Sequence, residues 1–324
     1  MTASSTGTLA IPEPQRGIPP TSHEDLDAAL ATLRDRAAAW IGTDVDARLE
    51  LLAELMDDTL GAAPDWTLAA AGAKGIRRDS PLMGEDWISG PVMVLRNLQL
   101  LARTLEQVRD TGRPRPPSLE LAPNGQVVSR VFPSDWVDHL LFTGFTGEIR
   151  LQPQITLDQA TARIGHVYRE GVVSGPTVSL VLGAGNVSSI GPMDALYELF
   201  ARNRVVLLKM NPVNDHLGPH IAAAFQPLVR DGFLRIVYGG GEVGAYLTEH
   251  DQVDTIHITG SDKTHDAIVF GPGDEGERRK AAGERKNTKP ITSELGNVSP
   301  VIVVPGPWSD KDLAFQGDNI ASML

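Results

Sequence analysis

From Thr177 onward the chain alternates short, continuous apolar runs with stretches of helical spacing. Val178–Leu182, Val205–Met210, Leu234–Tyr238 and Thr255–Thr259 read as strands buried on both faces. Between them Met193–Arg202, Leu217–Val229 and Val243–Glu249 read as helices, with Leu217, Ile221, Phe225 and Leu228 aligned on one face. Such alternation predicts a parallel sheet with helices on both sides, and ligands bind at the carboxyl ends of strands in sheets of this kind.

The preceding half is different. Ser22, with Asp25 three residues on, is a helix-start signal, and Leu26, Leu30, Leu33, Ala37 and Trp40 follow at helical spacing. Leu49, Leu52, Ala53, Met56 and Leu60 mark a second helix, and residues 88–110 a third. Four prolines between Thr111 and Pro123 read as a connector. Gln126–Phe132 and Glu148–Leu151 are strand-like, with Gly144 and Gly147 between them, and predict an extended arm or hairpin. The expected organisation is a disordered tail over 1–22, a helical part over 23–123, the arm over 124–153 and a sheet-bearing unit over 154–296.

Composition narrows the function. Hydrophobic residues make up 41% and charged residues 22% of the 324, an ordinary globular mix. The net charge of −12 repels phosphate backbones and anionic membranes, while leaving room for one local anion site. No apolar run approaches the ~20 residues of a membrane span, and Met1–Pro20 lacks the basic and apolar regions of a signal peptide. There is no cysteine, so neither disulfides nor thiolate metal sites are available, and cytoplasm is the expected location. His220, His250, His257 and His265 are scattered without metal-ligand spacing.

The polar motifs fall at the predicted strand ends. Gly183-Ala-Gly185-Asn186 follows the first strand; it is a partial dinucleotide fingerprint, with Ser188 where a third glycine would stand, or a tight strand-to-helix turn that Asn186 caps. Lys209 closes the second strand and stands 23 residues after Asn186. Gly239-Gly240-Gly241-Glu-Val-Gly244 follows the third, where glycines allow close backbone approach or a plain turn. Ile258-Thr-Gly260-Ser261 ends the fourth, where Ser261 suits pyrophosphate or ribose oxygens, or a helix N-cap, or both. Residues 271–290, with six basic and four acidic side chains, read as a solvated loop in which Arg278, Arg279 or Lys280 could still meet a coenzyme phosphate.

Residues 291–304 read Ile-Thr-Ser-Glu-Leu-Gly-Asn-Val-Ser-Pro-Val-Ile-Val-Val, and this Glu-Leu-Gly run before an apolar strand resembles the general-base segment of the aldehyde dehydrogenase superfamily. Leu-Leu-Lys-Met-Asn-Pro around Lys209 resembles that family's Leu-Lys-Pro segment, Gly239–Gly244 its second glycine-bearing loop, and Ile258–Ser261 its Phe-Thr-Gly-Ser signature. The resemblance covers roughly residues 170–320. It implies an α/β fold, a Rossmann-like doubly wound parallel sheet with N-terminal helices and a β-arm, and a catalytic domain largely missing, with its incomplete start over 297–324. It implies NAD(P)-dependent oxidation of an aldehyde to a carboxylic acid. Asn186 would stabilise the oxyanion, and Glu294, buried and poised near neutrality, would activate water. Lys209, Gly240, Gly244, Gly260, Ser261 and Leu295 would hold the coenzyme. Pro212 stands where the family often has a ribose-binding glutamate, which leaves both NAD and NADP open. The implied partners are a small aldehyde and, through the arm, further copies of the chain; neither nucleic acid nor membrane is expected.

The family's nucleophilic cysteine lies beyond the glutamate, and counting forward puts it just past Leu324. The expectation is a chain truncated before its nucleophile and inactive alone. The alternative is a non-catalytic nucleotide-binding or oligomerising module.

Overall fold

The computed structural model describes residues 17–169, 175–296 and 299–323. Four helices lead: α1 (His23–Gly42), α2 (Val45–Ala73), α3 (Met83–Trp87) and α4 (Met93–Thr111), the last two joined through a π-turn at Ile88–Val92. Ser22 caps α1 by accepting from Asp25 N at 3.1 Å, and Leu26, Leu30, Leu33, Ala37 and Trp40 are all buried beneath it. The tail expected over 1–22 lies for residues 1–16 outside the described residues. Thr21 is bonded to Tyr238 through both its backbone N–H and its hydroxyl.

A three-stranded antiparallel sheet follows, built from β1 (Ser118–Leu121), β2 (Val127–Phe132) and β3 (Gly147–Arg150) in that order, with α5 (Trp136–Leu141) between β2 and β3 and α6 (Leu157–Arg163) after them. The first hairpin therefore starts upstream of the expected arm, and Pro123 and Asn124 lie in its turn. A sequence reading misses β1 because Ser-Leu-Glu-Leu is too short and too polar to stand out beside four prolines.

The second sheet is wholly parallel. Its strands are β4 (Val178–Leu182), β5 (Val205–Lys209), β6 (Leu234–Val237), β7 (Thr255–Gly260) and β8 (Ile291–Leu295), ordered β6-β5-β4-β7-β8. The connecting helices are α7 (Ile190–Leu196, continued by a π-turn to Ala201), α8 (Gly218–Ala224), α9 (Gln226–Arg230), α10 (Gly241–Glu249), α11 (Asp262–Phe270) and α12 (Gly273–Ala282), with α13 (Asp310–Met323) after β8. The doubly wound α/β expectation is met. All of β4 and β5 is buried, which is why both read as unbroken apolar runs. The order reverses between β4 and β7, so the ligand crevice belongs at their carboxyl ends.

Two expectations fail. Residues 271–290 are not simply a loop: Gly273–Ala282 is helical, closed by Gly283 in the left-handed conformation and laced by Glu275 to Arg278 and Arg279. Charged spacing of this kind holds a solvated helix without an apolar stripe to reveal it. The strand expected after Glu-Leu-Gly is also displaced. Residues 299–309 form no strand, and the strand is β8 itself, carrying Glu294. Ile302 is 80% exposed, so its apolar run has no sheet face to lie on.

A buried cation joins the helices to the parallel sheet. Arg48 in α2 is 1% exposed and donates to Trp40 O at 2.7 Å, Asn203 Oδ1 at 2.5 Å, Thr43 O at 3.0 Å and the Tyr168 hydroxyl at 3.2 Å, with its guanidinium 4.2 Å from the Trp40 ring. Asn203 holds φ 58 just before β5, a conformation that asparagine tolerates better than most residues. Arg48→Ala should cost about 3 kcal/mol in urea unfolding by stranding several buried acceptors. Arg48→Lys should recover less than half of that loss, because an ammonium cannot span the same fork. Full recovery by lysine would contradict the role given to the fork.

Candidate functional site

A cleft of about 760 Å³ opens where the ends of β4, β5, β6 and β7 meet α10 and α11. Lys209, Gly240, Gly244, Gly260 and Ser261 all line it. These five, drawn from three motifs spread over more than fifty residues, are brought together by the parallel register: Leu182 lies level with Lys209 and with Ile258, and Lys209 level with Val237.

Lys209 ends β5 at 7% exposure, and its ammonium makes no hydrogen bond or ion pair among the described residues. Burial pushes its ammonium below the usual lysine range, and the Asp215 carboxylate offsets this only in part. An anionic or hydroxyl-bearing ligand would replace the hydration it has lost. Gly240 is the N-cap of α10 and offers no side-chain cap, so the first N–H groups of that helix are left for water or a ligand. A Cβ at Gly240, Gly241 or Gly244 would meet no atom within 4 Å, so the backbone at all three borders open space. Ser261 is committed locally: its Oγ accepts from Thr264 N at 3.1 Å and lies 2.9 Å from Thr264 Oγ1, which is the helix-cap role read from the sequence. The fit to a dinucleotide rests on these features: a buried unpaired cation, an uncapped helix start and side-chain-free backbone around one cleft.

Asn186, Glu294 and Leu295 do not line the cleft. Asn186 is exposed in the loop after β4, and its amide makes no hydrogen bond among the described residues. Glu294 and Leu295 sit on β8, level with Thr259 and Gly260. Both are exposed, contrary to the burial expected of Glu294, because they lie at the carboxyl end of β8, the sheet's outer strand. Two strand spacings, roughly 10 Å, separate the lines of β4 and β8, so the loop bearing Asn186 and the carboxylate share one end of the sheet.

Several contributors escaped the sequence reading. Asn211 lines the cleft and bonds Gly183 O at 3.4 Å, while Asn214 bonds Ala184 O at 3.3 Å; together they brace the loop that bears Asn186. A Cβ on Gly185 would lie 2.9 Å from Asn211 Oδ1, so a side chain there would have to displace the Asn211 amide. The helical region, which carries no motif, supports the same loop: Ser89 O accepts from Ser189 N at 3.2 Å, beside Gly90, where a Cβ would stand 3.0 Å from Ser188 Oγ. The Asn-Pro after Lys209 and the Gly-Pro in the π-turn were the available signals.

The opposite face of β7 carries a second polar group. His257, 9% exposed, places Nδ1 2.8 Å from Thr292 Oγ1 of β8 and Nε2 3.5 Å from Asp194 Oδ2 of α7; Thr259 donates to the same carboxylate at 2.9 Å. Nearby Glu198 is paired with Arg204 at 2.9 Å, and Arg204 also reaches Thr255. Burial works against charge on His257, but the Asp194 carboxylate, with help from Glu198 and Glu294, raises it above the ordinary 6.5. A raised group holds its proton more tightly folded than unfolded. The resulting stabilisation is complete below about pH 6.5 and is lost as the pH climbs through the raised value. Urea midpoints measured from pH 6 upward should therefore fall more steeply for the native chain than for His257→Gln. Equal slopes would remove the Asp194–His257 pair as the cause.

The aldehyde dehydrogenase family model matches residues 178–317. A betaine aldehyde dehydrogenase of Vibrio vulnificus (strain CMCP6) is 32% identical over 85 residues, which is 26% of this chain and 14% of that protein. Among solved structures, an aldehyde dehydrogenase C mutant from Pseudomonas syringae, complexed with NAD+ and octanal, superposes with a TM-score of 0.53 at 18% identity, covering 88% of this chain and 45% of that one. The glyceraldehyde-3-phosphate dehydrogenase GapN from Methanocaldococcus jannaschii, complexed with NADP, gives 0.53 at 14% identity, over 87% of this chain and 48% of that one. The chain thus spans less than half the length of these two structures, and at such identities they speak to the fold. Motif order and strand topology agree with the match of residues 178–317 to the aldehyde dehydrogenase family model.

Proposed function

We propose that this chain is the coenzyme-binding portion of an aldehyde dehydrogenase-like oxidoreductase, which oxidises an aldehyde to a carboxylic acid with NAD or NADP. The observation that carries this reading is the cleft at the strand-order reversal, lined from three strand ends by Lys209, the Gly240–Gly244 turn and Gly260–Ser261. The coenzyme, when bound, supplies the hydride acceptor. Lys209 would donate to its ribose or phosphate oxygens, the uncapped start of α10 would face the pyrophosphate, and the glycines would let the backbone approach. Lys263 lines the same cleft beside Lys286, which is paired with Glu249, and its charge is compatible with the additional phosphate of NADP.

Asn186 and Glu294 would act on the aldehyde carbon. The free Asn186 amide would donate to the developing oxyanion; loss of such a donor typically costs roughly 3–4 kcal/mol of transition-state stabilisation. Glu294 would accept a proton from the water that releases the acid. Leu295 would contact the coenzyme from the neighbouring position. Covering of β8 by another domain would supply the desolvation this base needs. The thiolate nucleophile is not among the 324 residues, which contain no cysteine. That same observation favours a second reading, a nucleotide-binding or oligomerising module without turnover. Trp136, Leu140 and Phe145 of the arm, at 74%, 68% and 67% exposure, suit contact with a further copy of the chain.

The purified chain should bind NADP+ or NAD+ by calorimetry and produce no reduced nicotinamide from any aldehyde; turnover by the chain alone would contradict the assignment of the nucleophile. Lys209→Met should weaken coenzyme binding about tenfold, equivalent to ~1.4 kcal/mol. The same change should leave or raise the thermal midpoint without coenzyme, because a buried unpaired ammonium is removed. Undiminished binding in Lys209→Met would sink the proposed role of the cleft.

A further inference from the structure

A second cavity, about 770 Å³, lies well away from the sheet ends, between α4, the proline-rich segment 114–117, the antiparallel sheet and α6. Its volume falls within the range typical of small-molecule sites. Leu100, Leu119, Val131, Ile149, Leu151 and Ile155 form an apolar trough. The walls are rigid for identifiable reasons. Pro114, Pro116 and Pro117 restrict the backbone, and Gly165, at φ +61, packs so closely under Pro114 that a Cβ would lie 2.3 Å from its ring. Arg115 N donates to Gln107 Oε1 at 2.7 Å, which pins the segment to α4, and a full capping box, Thr156 with Gln159, starts α6 at the opposite wall.

The charge around the trough is one-sided. Arg103, Arg115 and Arg163 line it, and no aspartate or glutamate does, in a chain with 41 acidic and 29 basic side chains. Arg103 is already neutralised by Asp135. The guanidinium groups of Arg115 and Arg163 make no ion pair or hydrogen bond among the described residues, and both are exposed at the rim. Two unpaired forks beside a preformed apolar trough match a ligand with an apolar body and an anionic head. Planar carboxylates take such forks in bidentate fashion. Preorganised walls lower the ordering cost of binding.

We propose that this groove binds an alkyl carboxylate, with its carboxylate between Arg115 and Arg163 and its chain along the Leu119–Val131–Ile149 trough. The site is independent of the coenzyme cleft, so it stands or falls without the reading of that cleft.

Decanoate is a suitable probe, with decanol and acetate as its uncharged and tail-less counterparts, each kept below its aggregation or solubility limit. Calorimetry on the whole chain should show one saturable decanoate site. Decanol and acetate should bind at least tenfold more weakly, and Arg115→Gln/Arg163→Gln should lose at least tenfold in decanoate affinity. Val131→Asp, which sets a carboxylate into the trough, should lose as much. Unchanged circular dichroism and thermal midpoint would show that each variant is folded. The proposal is overturned by no saturable decanoate site, by decanol binding as well as decanoate, or by a folded double-arginine variant that binds like the native chain. Sedimentation with and without decanoate tests the rival occupant: a dimer that closes the groove and excludes the ligand would also overturn it.

Discussion

Every residue of β4 is buried, and its backbone is bonded on both sides, to β5 and to β7. Both of its neighbours are parallel and return through helices, which cover the two faces, and the chain supplies one on each side at different times. The entry to β4 is fastened as well: Asp254 accepts from Val178 N at 2.7 Å and pairs with Arg34 of α1 at 2.9 Å. Because the strand order reverses beside β4, the loops after β4 and β7 splay apart, and the cleft is the space they leave. The position of every candidate site residue follows from that burial.

The two faces of the sheet carry opposite electrostatics. On the cleft side, Lys209 is buried without a partner and is held below its usual range, which leaves it ready for an acceptor from outside. On the other side, His257 is raised by Asp194, so its positive charge is satisfied within the fold. Both groups are desolvated; what separates them is whether the protein supplies a counter-charge. An unpaired buried cation is costly to a fold unless a ligand relieves it, whereas the histidine joins α7, β7 and β8. That bond matters for Glu294, since Thr292, two residues earlier on the same strand, is its anchor point.

Much of this was legible from the residues. Val178–Leu182 was read to the residue because a strand buried on both faces has no polar side to blur its pattern. The order of Lys209, Gly240 and Ser261 at strand ends was legible because turns into helices demand glycine or a capping hydroxyl. Val301–Val304 misled for the same reason in reverse: a continuous apolar run resembles a buried strand, but it needs a sheet edge to join. The edge of β7 was taken instead by Ile-Thr-Ser-Glu-Leu, whose Thr292 meets His257. Gly273–Ala282 was hidden because its helix is held by charge pairs and a C-terminal glycine, with no apolar period. Ser89 and Gly90, set among ordinary helix residues, gave no local sign that they support a loop almost a hundred positions away.

Apolar periodicity and turn chemistry, which are local and carried by neighbouring residues, determined by themselves the alternating fold and the kinds of residue at each strand end. Tertiary structure decided which of those residues meet. Lys209, Gly240, Gly244, Gly260 and Ser261 converge because parallel register aligns strand ends distant in sequence, while Asn186 and Glu294 stay outside the cleft. The side of the strand that a residue faces, and the covering of that side, set whether a lysine is desolvated or a glutamate remains in water. Those are properties of packing between distant segments, which no local pattern encodes.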